Sequence, residues 1–94
     1  MTVVTTVNIN YAASGVDEII LVNSTGGPIT ITIPGIHITG KRYIIKDRNG
    51  TANTNNITIA SGDGDSFDNG INHVLNVSFQ SAMIHSDGSN WFLL

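Results

Sequence analysis

The stretch Ile29-Thr30-Ile31-Thr32-Ile33 alternates isoleucine with threonine and is followed by Pro34-Gly35. Successive side chains of a β-strand point to opposite faces of the sheet, so the three isoleucines share one face and the two threonines share the other. Both residue types are branched at Cβ, which suits them to a pleated sheet better than to a helix. This stretch therefore predicts a half-buried β-strand.

Similar patterns predict strands over the rest of the chain. The N-terminal segment alternates from Thr2 to Tyr11, and Ile57-Thr58-Ile59 echoes the isoleucine–threonine stretch, which we interpret as strand composition and not as a repeat. The run Ile19 to Val22 is apolar on both faces and so must be covered on both. The last long alternation places five side chains on one face: Ile71, His73, Leu75, Val77 and Phe79. Shorter strands are predicted at 42–46, 83–85 and 91–94.

Turn-forming residues, chiefly Gly, Asn, Asp and Ser, separate these strands at intervals of about 8–15 residues. Asn49-Gly50 is the strongest of these signals and predicts a tight turn. Ala, Glu, Lys, Gln and Leu are too sparse to sustain an amphipathic helix of three turns. We therefore predict one all-β domain: a small antiparallel β-sandwich or barrel, or a β-prism, built of hairpins.

Charge and composition exclude several classes of function. The 94 residues include four Lys and Arg against seven Asp and Glu, a net charge of −3, and only 12% are charged. Four scattered cations do not form the basic face that nucleic-acid binding requires. The absence of cysteine excludes disulfides and thiolate metal sites. No apolar run approaches the ~18 residues of a membrane span, and the N-terminus lacks the pattern of a secretion signal.

The sequence contains no signature of catalysis, and we predict neither an enzyme nor a bound cofactor. There is no Gly-x-Ser-x-Gly motif, and His37, His73 and His85 lie far apart without a metal-ligand spacing. Because His73 is in register with apolar residues, it is expected to be a neutral, hydrogen-bonded core histidine. Its alternative is an ion site at which symmetry-related copies of His73 meet.

Two further features leave alternatives open. The loop from Asp63 to Gly70 alternates Asp63 and Asp65 with glycine, as a calcium loop does, but it does not meet the EF-hand pattern. A solvated hairpin loop is the favoured interpretation, with calcium binding as the alternative. Trp91 has the chemistry to stack on a sugar, although a single aromatic residue near a chain end more often closes the edge of a core.

Three blocks in a fixed order carry a resemblance to a known family. They are Tyr43 to Gly50, Asn53 to Ile59 and Ser86 to Trp91, preceded by Ile29 to Pro34. Together they resemble a β module of tailed-bacteriophage virion proteins, common near the ends of tail fibres and other trimeric appendages. The likeness covers residues 17–94 and leaves 1–16 as an N-terminal strand or arm outside the module. It implies a homotrimeric structural protein of the virion without catalytic residues.

A module of this size standing at its own Met1 is more similar to a capsid decoration (cement) protein than to a fibre. The expected partners are other copies of the chain and the major capsid protein or other virion proteins, with no nucleic acid and no membrane. The expected location is the capsid surface of the virion, after synthesis in the host cytoplasm. The alternative is a tail-fibre or tail component, or a receptor-binding tip that recognises host glycans through Trp91 or the 61–70 loop.

The patterns themselves also favour an oligomer. The 19–22 run and the alternating strands offer more apolar surface than a small monomer covers, and a trimer burying about 800 Å² per contact would cover it. The loops 23–28, 47–56 and 61–70 are the expected contacts with other proteins. The candidate contact residues are Asn23, Thr25, Asn49, Asn53, Asn55, Asp63, Asp65 and Trp91.

Overall fold

The computed structural model describes residues 3–34, 40–62, 67, 72–88 and 90–93, and these residues form strands and turns without a helix. The all-β prediction is confirmed. The nine strands are β1 (Val4–Val7), β2 (Tyr11–Ala12), β3 (Ile19–Val22), β4 (Ile29–Ile33), β5 (Arg42–Asp47), β6 (Ile57–Ser61), β7 (Asn72–Leu75), β8 (Ser81–Ser86) and β9 (Trp91–Leu93).

The strands form two sheets between which the chain passes repeatedly. Sheet A has the order β1-β3-β5-β8-β9, and sheet B has the order β2-β4-β6-β7. From β1 to β6, each strand in one sheet is followed by a strand in the other, so each turn of this coil adds one strand to each sheet. Neighbouring strands of one sheet therefore enter from the same end and run parallel: β1, β3 and β5 in sheet A, and β2, β4 and β6 in sheet B.

The expectation of an antiparallel fold built of hairpins is wrong for this first part of the chain. Antiparallel pairing is confined to the C-terminal part, where β7 pairs with β6 and β8 pairs with β5 and β9. Alternation of apolar and polar residues specifies which face of a strand is buried but not the direction of its neighbour, so both sheets are mixed. The four-residue run of β3, apolar on both faces, is the pattern that parallel strands typically show.

Parallel pairing places like residues in register across the coil. In sheet B, Ile29 pairs with Ile57 and Ile31 with Ile59. The two similar isoleucine–threonine stretches therefore form adjacent parallel strands, β4 and β6, with like residues side by side. Stacking of similar turns on one another is how repeat proteins bury a continuous core. The earlier interpretation of the echo as strand composition alone is therefore corrected.

The hydrophobic core lies between the inner faces of the two sheets. Ile20, Val22 and Ile45 of sheet A and Ile31 and Ile59 of sheet B are fully buried there. Trp91 of β9 and Tyr43 of β5 are also buried in the core, and their ring centroids are 5.5 Å apart. The shortest dimension of the molecule, 20 Å, fits two sheets stacked about 10 Å apart with their outer side chains.

Residues 4–12, which the resemblance does not cover, belong to both sheets of the same chain. The expected strand from Thr2 to Tyr11 is divided by a bend at 8–10: β1 pairs with β3 in sheet A, and β2 pairs with β4 in sheet B. The side chain of Asn10 ties this bend to sheet B, because its Oδ1 accepts a hydrogen bond from the backbone N–H of Thr30 in β4 at 2.8 Å.

The last long alternation is also shorter than expected. β7 ends at Leu75, and residues 76–80 form a tight turn that returns the chain to sheet A. Val77 and Phe79, expected on the buried face, are 59% and 57% exposed, whereas His73 is half-buried opposite Ile59. Residue 71 and His37 lie outside the described residues. The described residues contain no helix long and apolar enough to cross a lipid bilayer.

Candidate functional site

Three connections meet at one end of the molecule, and we call them together the loop end: residues 23–28, 48–56 and 76–80. They meet because β3 and β5 finish at this end, β4 and β6 begin there, and the turn after β7 crosses the same edge. Backbone hydrogen bonds join them to the strands: Arg48 N donates to Val22 O at 2.8 Å, and Ile29 N donates to Asn56 O at 3.2 Å. Two of the three predicted contact loops therefore form one surface.

Side-chain contacts hold the first two connections together. Ser24 Oγ and Thr51 Oγ1 are 2.7 Å apart, and Asn55 Nδ2 donates to Ser24 O at 2.7 Å. Asn23 Oδ1 accepts from the backbone N–H and the hydroxyl of Thr25, at 3.1 and 2.7 Å. Asn23 and Asn55 are thus engaged in shaping the loops, which is a role that the sequence analysis did not assign to them.

The other candidate residues of these loops face outward. Thr25, Asn49 and Asn53 are exposed. Their placement is the one expected for partner contacts, and their role in binding stays a prediction. Each offers a short polar side chain with hydrogen-bonding groups and no charge, so the loop end is a surface rich in amide and hydroxyl groups.

Asp47 organises the loop end from beneath. This fully buried carboxylate accepts hydrogen bonds from the backbone N–H groups of Gly50 at 3.1 Å, Ala52 at 3.0 Å and Phe79 at 2.9 Å. Burial by itself raises the pKa of Asp47, but hydrogen bonds from backbone N–H groups, Ala52 and Phe79 foremost, outweigh it and hold the pKa below its ordinary value. One ionised side chain therefore ties the 48–52 segment to the 76–80 turn.

The 76–80 turn is closed by its own last residue. Gln80 N donates to Val77 O at 3.0 Å, while Gln80 Oε1 accepts from Asn76 N at 2.9 Å and Val77 N at 3.1 Å. Lys46 Nζ donates to Phe79 O at 2.5 Å, and Asp47 N donates to Gln80 O at 2.9 Å. The turn is consequently fixed on both sides, with the side chains of Val77 and Phe79 directed outward.

A second buried carboxylate, Asp17, lies at the opposite end of sheet A. It accepts hydrogen bonds from Thr5 Oγ1 at 2.7 Å, Tyr11 OH at 2.6 Å and Ser14 N at 2.9 Å. Burial raises its pKa, but these donors lower it more, so the pKa of Asp17 lies below its ordinary value. The same hydrogen bond to Asp17 raises the pKa of Tyr11. The carboxylate thus ties β1 and β2 to the turn before β3.

Lys41 and Tyr43 complete this cluster. The Lys41 ammonium donates to the carbonyl oxygen of Asp17 and lies 4.6 Å from the centroid of the Tyr43 ring. Tyr43 OH donates to Ser14 O at 3.0 Å, and burial together with the charge of Asp17 raises the pKa of the Tyr43 hydroxyl. Because each of these polar groups has a partner within the chain, the arrangement is suited to holding the N-terminal segment in place.

The remaining predicted contact residues are not at the loop end. Trp91 is fully buried against Tyr43, so the prediction that it contacts a partner or a glycan is wrong, and its alternative role as an aromatic residue that closes the core is confirmed. Asp63 and Asp65, with most of the 61–70 loop, lie outside the described residues. Within the described ranges, no three metal-ligating side chains lie together and no enclosed cleft is formed.

No family model matches this chain, and no curated protein matches it.

The residues that sequence analysis missed are Asp47, Val77, Phe79 and Gln80. Alternation from 71 to 79 hid the turn, because Val77 and Phe79 fall where a longer strand would bury them. Gln80 was the available signal, since a side-chain amide four residues after Asn76 is able to cap the backbone N–H groups of a turn.

Proposed function

We propose that this protein is a structural component of a bacteriophage virion: a homotrimer that decorates the capsid and stabilises contacts between neighbouring capsomers. The observation that carries the proposal is an apolar row of side chains on the outer face of sheet A. Val4, Ile19, Ile44 and Met83 are paired across four adjacent strands and point away from the core. Leu21 adjoins this row, and Val4 is 54% exposed.

The apolar character of this row favours a second copy of the chain as its cover. Four strands at about 4.8 Å spacing and four residues at about 3.3 Å rise give a plane of roughly 250 Å², which carries this row and the mostly polar row Thr6–Leu21–Lys46–Ser81. A stable interface needs about 800 Å² on each partner, so the neighbouring edges must contribute the rest.

Sheet A has two different edges that would contribute this additional contact area. In the described residues its outer strands are β1, which is paired in parallel, and β9, which is paired antiparallel. A ring of three copies uses two dissimilar patches on each chain, whereas a twofold dimer uses one patch twice. A trimer with the outer faces of sheet A around the axis therefore suits this sheet.

The family resemblance supports the virion assignment. The block from Tyr43 to Gly50 forms β5 and its turn, the block from Asn53 to Ile59 leads into β6, and the block from Ser86 to Trp91 joins β8 to β9. These are structural elements of the two sheets and of the loop end. A decoration protein acts by multivalent contact, since a trimer held at several capsomers dissociates only when all its contacts break together.

Two measurements test this proposal. Native mass spectrometry is expected to give three times the 10.0 kDa chain mass, and a folded monomer at millimolar concentration contradicts the trimer. Electron cryomicroscopy of virions is expected to show many copies over the head. A few copies at the tail favour the second candidate, a tail or fibre component, and particles without the protein contradict both.

A further inference from the structure

Phe79 adopts a backbone conformation that bulky residues rarely adopt. Its φ is +63°, and it is the third residue of the four-residue turn closed by the Gln80 N–H and the Val77 carbonyl. Turns with positive φ at this position ordinarily have Gly or Asn there, because a larger side chain is strained. Residues in such conformations persist when the surrounding contacts impose them, and they concentrate at functional sites.

The Phe79 ring is supported on one side and open on the other. Glycine at position 50 makes room for the ring, since a Cβ added there would lie 2.6 Å from Phe79 Cε2. The Lys46 ammonium is 5.8 Å from the ring centroid. Even so, 57% of Phe79 and 59% of Val77 are exposed, so the turn presents two apolar side chains to the surroundings in one fixed geometry.

The charges around the turn indicate the kind of partner. The protein is acidic overall, but the charged side chain within the described loop end is the exposed Arg48, and the half-buried Lys46 adjoins it from the end of β5, while Asp47 is buried. The loop end also presents the exposed polar residues Thr25, Asn49 and Asn53. An aromatic anchor with a polar rim is the usual anatomy of the centre of a protein–protein interface, and the cations select a carboxylate on the other side.

We propose that Phe79, together with Val77, is the anchor that inserts into an apolar pocket with a carboxylate at its rim on another protein of the virion. This inference rests on the proposed function and adds to it the contacting residues and the chemistry of the partner surface. The strained turn is pre-organised for that contact by Asp47, Gln80 and Lys46, so binding requires little further ordering of the loop.

The test compares two substitutions that remove an exposed apolar side chain. Phe79→Asn removes the anchor and places at +63° a residue that tolerates positive φ, so its melting temperature is expected to equal or exceed that of the wild type. Val16→Asn is the matched control, because Val16 is 73% exposed and lies in the turn before β3, at the opposite end of sheet A. The probe is purified virus particles assembled without this protein.

Wild type and Val16→Asn are expected to bind the particles equally, and Phe79→Asn about thirtyfold more weakly, as expected for loss of a central aromatic anchor. Equal binding by Phe79→Asn overturns this inference and leaves the proposed function standing, whereas no binding by the wild type overturns both. Dissociation of the trimer by Phe79→Asn would mean that the ring faces a second copy. Phe79-dependent binding to a glycan array, or to vesicles of phosphatidylglycerol and phosphatidylcholine, would also contradict a protein pocket.

Discussion

The outer faces of the two sheets are built alike but differ in chemistry. On sheet A the row Val4–Ile19–Ile44–Met83 is apolar and the next row includes Lys46, while the outer positions of sheet B are Thr30 and Thr32 of β4, Thr58 and Ala60 of β6 and Val74 of β7. Both faces continue a strand alternation whose inner members are buried. The core accounts for the inner residues of both sheets equally, so the core does not explain the difference between their outer faces.

The largest expected effect comes from a charge placed on the outer face of sheet A. Ile44→Lys is expected to abolish the proposed trimer, because it would place three ammonium groups in the apolar row at the contact. Thr58→Lys is the matched control, since Thr58 is half-buried at the equivalent place on sheet B. Sedimentation at several concentrations measures both variants. Loss of the trimer in both, or in neither, would contradict the assignment of the two faces.

The inner faces are expected to respond equally to truncation. Ile45→Ala in sheet A and Ile59→Ala in sheet B each remove a fully buried side chain and leave a cavity. Each is expected to lower the free energy of unfolding by about 3 kcal/mol. Chemical denaturation at one fixed protein concentration measures this, because association contributes to apparent stability. A large loss for only one of the two would show that the sheets share the core unequally.

Much of this architecture is predictable from the strand patterns. The bounds of β3 and β4 agree with the apolar run at 19–22 and the alternation at 29–33, and Asn49-Gly50 marks a turn in which Gly50 has a φ of +78°. The direction of strand pairing was not predictable, because Ile31 lies on the same face of the sheet whether its neighbouring strand runs parallel or antiparallel. The local sequence pattern specifies which face of a strand is buried, whereas the partner of that strand depends on which distant segment of the chain lies beside it.

The candidate site was predictable only in part, for the same reason. Loops rich in Asn and Thr were identified as contacts, and the fold brings two of them together at Ser24 and Thr51. The exposed turn was not foreseen, since its conformation depends on Asp47, 32 residues away from Phe79 in the chain. Trp91 was misplaced among the surface residues because an aromatic side chain serves equally well in a core and in a binding site.

Acid is expected to loosen the segments held by Asp17 and Asp47 before the central strands β4 and β6 of sheet B. Asp17 precedes β3 and Asp47 is the last residue of β5, both in sheet A, and the described strands of sheet B contain no carboxylate. The pKa of each lies below its ordinary value in the folded chain, so the unfolded chain takes up the proton first as pH falls. Their stabilisation is therefore complete above the ordinary aspartate pKa of about 3.9 and is lost as pH falls toward the folded values.

Hydrogen exchange between pH 6 and pH 3 measures this difference. Backbone N–H groups of Gly50, Ala52 and Phe79 are expected to lose protection before those of β4 and β6. Asp47→Asn is expected to reproduce that loss at neutral pH and to lower the free energy of unfolding by about 2 kcal/mol, as for a hydrogen-bonded charged group. Uniform loss of protection in both sheets would indicate that neither carboxylate acts locally.

The smallest effect is expected from making sheet B resemble sheet A. Thr30→Val with Thr58→Val replaces hydroxyls by methyl groups on the outer face of sheet B, where the two residues are directly paired. Both side chains remain β-branched, so the free energy of unfolding is expected to change by less than about 0.5 kcal/mol. If apolar character on an outer face drives association, this double variant will form assemblies larger than a trimer at high concentration, which light scattering detects. An unchanged trimer would mean that the edges of sheet A contribute more to association than its face does.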